Sequence, residues 1–351
     1  MKKIVFTGGG TLGHVMPNLY LMDELKDFEC YYIGGSNIDR DKVQSKVKKY
    51  YQITTTKFVR NKFFVNFTIP FKLIKGIREA KRALKEIGPD IVFSKGGYVS
   101  LPVVIAARKL RIPIIAHESD YSFGLANKII LKLCNIMCVN FKNLESKNKK
   151  IVYTGPIFSK VYDKTVAPST SGLNLDKDKS TILIVGGSLG SQVINENVFA
   201  CVKDLIKKCN VIHITGKGKQ QYPSFKNYNC IEMANNMVDL YRTSDLVIGR
   251  SGAGVTAEAF YLNKPMLLIP LENRATRGDQ LLNARYYEDQ GVAKIIRESK
   301  LNPNALIVSV DELFSNIYTM QEKYKSTQKI NGRQKIVELI IEMSDKSSKS
   351  S

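Results

Sequence analysis

The stretch Thr181–Asn195, TILIVGGSLGSQVIN, decides how this chain is read. Ile182 to Val185 is a short, apolar, largely β-branched run of the kind that forms a fully buried strand. Gly186 to Gly190 follows as a turn whose only bulky side chain is Leu189, and an amphipathic stretch comes next. A strand, a glycine turn and a helix start make an anion site by simple physics. Glycines let the backbone approach a phosphate, and the helix N-terminus offers unpaired N–H groups at the positive end of its dipole. Ser188 adds a hydroxyl donor. A near-copy opens the chain, with Lys2 to Phe6 as strand, Thr7 to Gly13 (TGGGTLG) as turn and a helix from about Pro17. Two such units predict an α/β protein with two Rossmann-like, doubly wound domains facing one cleft.

With 351 residues and 44% hydrophobic composition the chain exceeds one core, and two domains are expected. A formal net charge of +21 calls for a polyanionic neighbour: nucleic acid, an anionic membrane face or a phosphorylated substrate. The six cysteines form no CxxC pair and have no histidine at zinc-ligand spacing, so they read as free thiols in a reducing compartment, with no metal site. The N-terminal apolar run is too short for a signal peptide core. No apolar run approaches the roughly 18 residues of a membrane span.

Strand-like and helical patterns alternate up to about Asn140, with strands expected at Cys30–Ile33, Ile91–Phe93, Ile114–Ala116 and Ile136–Val139 and helices at Phe71–Ile87 and Leu101–Leu110. In parallel sheets ligands gather at the carboxyl ends of strands. Thr7–His14, Ser94–Ser100 (SKGGYVS) and His117–Asp120 (HESD) fall there. The expected division is a domain over 1–158, a Ser/Thr/Asp/Lys-rich linker over 159–180 and a second domain over 181–327. A helix over 328–343 and a disordered polar tail over 344–351 complete the chain. Second-domain strands are expected at Val211–Ile214, Cys230–Met233, Leu246–Ile248 and Met266–Ile269.

Thr7–Gly13 matches neither the dinucleotide fingerprint nor a Walker loop. His14, one of three histidines, sits at its end, where a neutral imidazole accepts a proton. His117 fits either the crevice or the core, and His213, inside VIHIT, reads as structural. Glu118 and Asp120 flank Ser119 and could orient His14 or an incoming hydroxyl; capping of the next helix is the plainer alternative. Gly249–Glu258 (GRSGAGVTAE) is a further small-residue turn leading into a helix, whose Glu258 suits a ribose diol or simply a solvated face. Asp279 and Gln280, in the polar stretch after Pro270, suit sugar hydroxyls or an ordinary surface.

Lys57–Lys85 differs in kind. Phe58, Phe63, Phe64, Phe67, Phe71, Leu73 and Ile74 are interleaved with nine basic residues and one acid. Apolar insertion plus attraction to anionic headgroups is an interfacial membrane signature, at about 1 kcal/mol per basic residue near the surface. Single-stranded nucleic acid would use similar residues.

Together, TGGGTLGHVMPN (Thr7–Asn18), KGGYVSLP (Lys95–Pro102), HESD with GLANK (His117–Lys128), GGSLGS with INE (Gly186–Glu196), RSGAGVTAE (Arg250–Glu258) and PLENRATRGDQLLNA (Pro270–Ala284) resemble the MurG family. Its members move N-acetylglucosamine from UDP-N-acetylglucosamine to lipid-linked N-acetylmuramoyl-pentapeptide in peptidoglycan synthesis. The resemblance implies a glycosyltransferase B-type fold and an inverting reaction without metal or cofactor. It places the protein peripherally on the cytoplasmic face of the cell membrane, bound to anionic lipid and to cell-wall synthesis proteins, and not to nucleic acid. It implies Ser188 on the pyrophosphate, backbone near Ala234 on the uracil, and Glu258 on the ribose. Asp279 and Gln280 would hold the sugar, with Thr11, Leu12 and Gly13 touching the donor. His14 is implied as the base, with Glu118 and Asp120 as helpers or rivals. Four positions depart from the family pattern: Leu12 for glycine, Asp120 for asparagine, Phe158 for arginine, and Asp279 for histidine or glutamine. A transferase of related fold that glycosylates diacylglycerol is the alternative enzyme, and a nucleic-acid-binding protein the alternative non-enzyme.

Overall fold

The computed structural model describes every residue except 36, 58–67, 146–147, 188, 220, 235, 273–277, 328 and 349–351. The expected aromatics Phe58, Phe63, Phe64 and Phe67, and Ser188, therefore lie outside the described residues. The chain divides into two compact units, Met1–Ser159 with Ile330–Ser351, and Lys160–Lys329.

The first unit is built on seven strands: β1 (Lys2–Thr7), β2 (Phe28–Gly34), β3 (Lys49–Gln52), β4 (Ile91–Ser94), β5 (Ile114–Glu118), β6 (Ile136–Val139) and β7 (Ile151–Tyr153). They pair in the order β3-β2-β1-β4-β5-β6-β7, and every pairing is parallel. Alternation along the strands splits the core between the two faces. Val5, Val92, Ile114 and Ala116 pack on one side with the helices Ile69–Ile87 and Gly97–Lys109. Ile4, Phe6, Ile91, Phe93 and Ile115 pack on the other with Val15, Leu19, Ile336 and Ile340. The last two belong to the C-terminal helix Arg333–Ser348, which thus completes the first core. That helix runs past the point where a disordered tail is expected, because Ser344 is fully buried and accepts from Lys2 Nζ at 3.1 Å.

The second unit carries β8 (Thr181–Val185), β9 (Asn210–Ile214), β10 (Tyr228–Ile231), β11 (Leu246–Gly249), β12 (Met266–Leu268) and β13 (Ala293–Ile295), in the order β10-β9-β8-β11-β12-β13 and again all parallel. The segment read as a linker is bound to this unit. Asn174 N–H donates to Asn229 Oδ1 and Asp176 N–H to Asn210 Oδ1, each at 2.8 Å, and Tyr261 Oη donates to Asp163 at 2.9 Å.

Both sheets change direction beside their first strand, between β1 and β4 and between β8 and β11. These are the topological switch points, where crossovers leave on opposite faces and a crevice opens at the carboxyl ends.

Candidate active site

In the first unit the switch point lies between Thr7 and Ser94, and Lys95 N–H donates to Thr7 O at 2.8 Å. The helix that follows the glycine turn starts at Leu12, earlier than Pro17, with the exposed Thr11 as its N-cap. Thr11 Oγ1 lies 2.9 Å from His14 Nδ1, and the Nε2 edge of the ring lies against Gly97. His14 is half-buried, yet desolvation drives its imidazole pKa down to about 3, with the Lys95 ammonium pushing the same way. Leu12 is half-buried, and a side chain built on Gly13 would come within 3.8 Å of Thr11 Oγ1.

The loop after β5 is organised by Glu118. Its Oε1 accepts from Ser119 N–H at 2.8 Å and Asp120 N–H at 3.0 Å, and its Oε2 accepts from Asn127 Nδ2 at 2.8 Å and Gly124 N–H at 3.1 Å. A carboxylate holding four donors is a structural hub. Asp120, half-buried, lies within electrostatic reach of Lys95. His117 is fully buried in β5; burial pushes its pKa well below the ordinary value, with Gly155 and Asn140 as opposing polar neighbours outside full hydrogen-bond geometry. Sequence reasoning passed over two groups here. Lys95 is 2% exposed with its ammonium on Ser119 Oγ, and Asp39, buried on the short helix Asn37–Val43, accepts from Gly10 N–H at 3.3 Å. The first glycine turn is therefore not a copy of the second, since a carboxylate of the chain itself already sits on it.

In the second unit Gly190 N–H donates to Gly187 O at 3.0 Å in the turn after β8. Gly187 and Gly190 have φ of +87° and +67°, and a Cβ on Gly190 would lie 2.0 Å from Thr215 O. Ser191 caps the helix Gln192–Lys208 by accepting from Ile194 N–H. Arg250, at the end of β11, donates from Nη2 to Ser191 Oγ at 2.8 Å and from Nη1 to Ile269 O at 3.2 Å, and is ion-paired with Glu298. Neither Ser191 nor Arg250 was singled out from sequence. The arginine's signal was its place at a strand end straight after an apolar run.

Glu258 sits half-buried on the helix Ala253–Tyr261. Desolvation raises its pKa to about 7, opposed by the phenols of Tyr162 and Tyr241, the latter close by but outside full hydrogen-bond geometry. Gly252, the N-cap of that helix, and Gly254, in its first turn, have ordinary φ, and among the described residues no atom beyond their own stretch of chain lies within 4 Å of where a Cβ would stand. The described residues therefore leave space at these two positions for close approach of a ligand. Ala234 lies in the loop between β10 and the helix Met237–Thr243. Asp279 opens the helix Asp279–Asp289, and Gln280 Oε1 accepts from Leu271 N–H at 2.9 Å. Gln280 O accepts from Ser251 Oγ at 2.7 Å, joining this helix to the RSGAG turn. His213 is a satisfied core histidine, 3.0 Å from both Tyr228 Oη and Asn195 Oδ1, with its pKa pushed down to about 4 by burial. Among the described residues no group of three or more His, Cys, Asp or Glu could hold a metal ion.

The glycosyltransferase family 28 N-terminal domain matches residues 4–139 and the family's C-terminal domain matches 181–340. The chain is 42% identical to the UDP-N-acetylglucosamine--N-acetylmuramyl-(pentapeptide) pyrophosphoryl-undecaprenol N-acetylglucosamine transferase of Clostridium novyi, over 96% of this chain and 98% of that protein. It is 41% identical to the Clostridium botulinum (strain Hall) protein of the same name, over 97% and 99%. The crystal structure of Acinetobacter baumannii MurG superposes with a TM-score of 0.76 at 25% identity, covering 97% of this chain and all of that one. The calicheamicin glycosyltransferase CalG4 shares the fold alone, with a TM-score of 0.71 at 14% identity over 98% of both chains. Two parallel doubly wound units with ligand motifs at both switch points thus define a glycosyltransferase of the B-type fold. Within that class, the chain belongs to the MurG family.

Proposed function

We infer that this protein transfers N-acetylglucosamine from UDP-N-acetylglucosamine to the 4-hydroxyl of undecaprenyl-pyrophosphoryl-N-acetylmuramoyl-pentapeptide. The observation that carries this reading is kinship running through both units at once, since a diacylglycerol glycosyltransferase would share the donor half and differ in the acceptor half. The hydroxyl oxygen attacks the anomeric carbon, the bond from that carbon to the phosphate oxygen breaks, and UDP leaves with inversion. The N–H groups of the glycine turn that are not bonded within it and the dipole of the helix Gln192–Lys208 stabilise the charge that grows on the diphosphate. Ser188 joins them. Glu258, as carboxylate, accepts the ribose hydroxyls, Asp279 and Gln280 hold the sugar, and the backbone at Ala234 reads the uracil. Thr11, Leu12 and Gly13 complete the donor contacts.

His14 takes the hydroxyl proton on Nε2, which requires Nδ1 to carry its own proton and donate to Thr11 Oγ1. Glu118 holds the loop that presents Asp120. No step uses a metal ion, and turnover should persist in excess chelator.

Membrane attachment through the first unit fits its surface. Phe71 and Ile74 are 68% and 48% exposed on the basic helix Ile69–Ile87, and Leu125 and Ile129 are 59% and 40% exposed on the helix Leu125–Leu133, beside Lys128 and Lys132. Both helices flank Gly97–Lys109 on one face of the sheet. Among the described residues no helix is long and apolar enough to cross a membrane. The attachment proposed is peripheral, on the cytoplasmic face where the lipid-linked acceptor and cell-wall synthesis proteins would be met. The function is tested by mass analysis of products formed with a short-chain lipid-linked muramoyl-pentapeptide and, separately, with diacylglycerol. Product from diacylglycerol alone would transfer the assignment to the alternative enzyme.

A further inference from the structure

Tyr32, on β2, and Asn18, on the helix Leu12–Met22, lie fully buried beside the first glycine turn. Tyr32 Oη donates to Gly8 O at 2.8 Å. Asn18 Nδ2 donates to Tyr32 Oη at 3.1 Å and to His14 O at 3.3 Å. The order of protons is fixed, because a carbonyl only accepts and the phenol has one proton, which leaves the phenol oxygen to receive from the amide. Desolvation holds the phenol well above its ordinary pKa, so that proton stays in place. Asn18 Oδ1 has no hydrogen-bond partner among the described residues. An amide buried with its acceptor unpaired is poorer for stability than an apolar side chain of the same shape, so what Asn18 supplies is its two N–H groups.

We propose that Tyr32 and Asn18 act together as positioning residues for the transfer: gripping Gly8 O and His14 O, they set where the glycine turn leaves β1 and where the His14 imidazole stands. Turn and helix approach each other closely here, since a Cβ on Gly8 would lie 2.7 Å from His14 O and 3.3 Å from Asn18 Nδ2. A shift of the pair is therefore passed to both. Outward from the backbone, Thr11 Oγ1 lies 2.9 Å from His14 Nδ1, and the Nε2 edge of the ring lies against Gly97. These contacts orient the ring only if the turn and the first helical turn keep their places. A proton acceptor misplaced by about 1 Å forfeits much of its rate advantage.

The catalytic consequence rests on the proposed function, the hold on His14 does not, and the two fail separately. Tyr32→Phe removes the hydroxyl and keeps the ring that stacks on Tyr50 at 5.8 Å, so the fold should be retained. In this variant the His14 ring resonances, assigned by comparison with His14→Asn, should shift while those of His213, in the second unit, stay native. Unmoved His14 resonances would overturn the proposal. Tyr32→Phe and Asn18→Leu should each lower kcat by on the order of 10-fold, and the double variant by little more than either, because the two act as one unit. Placed on His14→Ala, Tyr32→Phe should cost nothing further, whereas a general loss of structure would slow both backgrounds alike. Native kcat in Tyr32→Phe, equal losses on the native and His14→Ala backgrounds, or losses that add in the double variant would overturn the proposal. If the native protein formed no disaccharide while Tyr32→Phe still moved the His14 resonances, the proposed function would fall and the hold on His14 would stand.

Discussion

The Arg250 guanidinium donates to Ser191 Oγ at 2.8 Å, so the side chain that ends β11 grips the N-cap of the helix that begins beyond the glycine turn of β8. The two edges of the second switch point are thereby held in one geometry, and Glu298 balances the buried charge. Arg250→Met strands that carboxylate and should cost about 3 kcal/mol of stability. Ser191→Ala loses a cap and should cost about 1 kcal/mol. Denaturant melts together with UDP binding check this. The arginine variant should also bind UDP more weakly than the serine variant, and equal binding would separate the clamp from the donor site.

Glu258 ties donor binding to pH. Its pKa, raised to about 7 by desolvation, leaves it part-protonated near neutrality, whereas ribose hydroxyls need the carboxylate as acceptor. Donor affinity should therefore rise as pH increases through about 7, and Glu258→Gln should be weak and flat across the range. The sign for stability is opposite. A carboxyl whose folded pKa is raised from 4.5 to about 7 contributes stability that is full below the unfolded value and is lost as pH rises through the folded one. Glu258→Gln should thus melt later than the native protein at alkaline pH, by on the order of 2 kcal/mol. Calorimetric titration with UDP and parallel melts give both signs, and a donor affinity that falls with pH would contradict the role.

Glycines at the second site separate into two kinds. Gly190→Ala places a Cβ 2.0 Å from Thr215 O at a φ of +67° and should cost more than about 2 kcal/mol. Gly252→Ala meets no atom within 4 Å among the described residues beyond its chain neighbours, so its melting curve should be native while UDP binding falls. Native UDP affinity in Gly252→Ala would remove the argument that a ligand occupies that space.

Membrane attachment should depend on exposed apolar side chains and on charge together. Phe71→Ser with Ile74→Ser should reduce flotation with anionic liposomes without lowering stability, since both side chains are already in water. Raised salt should weaken the native protein's binding. Unchanged flotation of the double variant, with Leu125→Ser and Ile129→Ser added, would sink the assignment of this face.

Much of this was legible in the chain because both sheets are parallel and buried on two faces. Such strands are short continuous apolar runs, and Ile136–Val139 stands where its run places it. Two of the edge strands lacked the signal. Lys49–Gln52 (KYYQ) and Ala293–Ile295 (AKI) are partly exposed and too mixed to stand out. The strand expected at Cys230–Met233 begins earlier, at Tyr228, because the wholly buried Tyr228 and buried Asn229 belong to it while Met233 is 54% exposed. A polar segment such as 160–180 has the same composition whether it swings free or lies bound, and Asn174 and Asp176 settle the matter only through partners tens of residues away. The same limit hid parts of the sites. Glycine turns at strand ends announce the switch points, but that Asp39 fills one turn and Lys95 lies beneath the crevice is tertiary information. Phe158, where the family pattern carries arginine, turns out to be 3% exposed core, with its carbonyl bound by Arg333 Nη1 at 2.8 Å.

The central claim is transfer of a sugar from a UDP donor to a lipid-linked muramoyl acceptor. UDP release from UDP-N-acetylglucosamine, followed with and without a short-chain undecaprenyl-type pyrophosphoryl-N-acetylmuramoyl-pentapeptide, tests it most directly. Release should be slow without acceptor, rise by at least about 100-fold with it, and match β-linked disaccharide mole for mole. Release that is indifferent to the acceptor, or that rises with diacylglycerol in its place, would contradict the account.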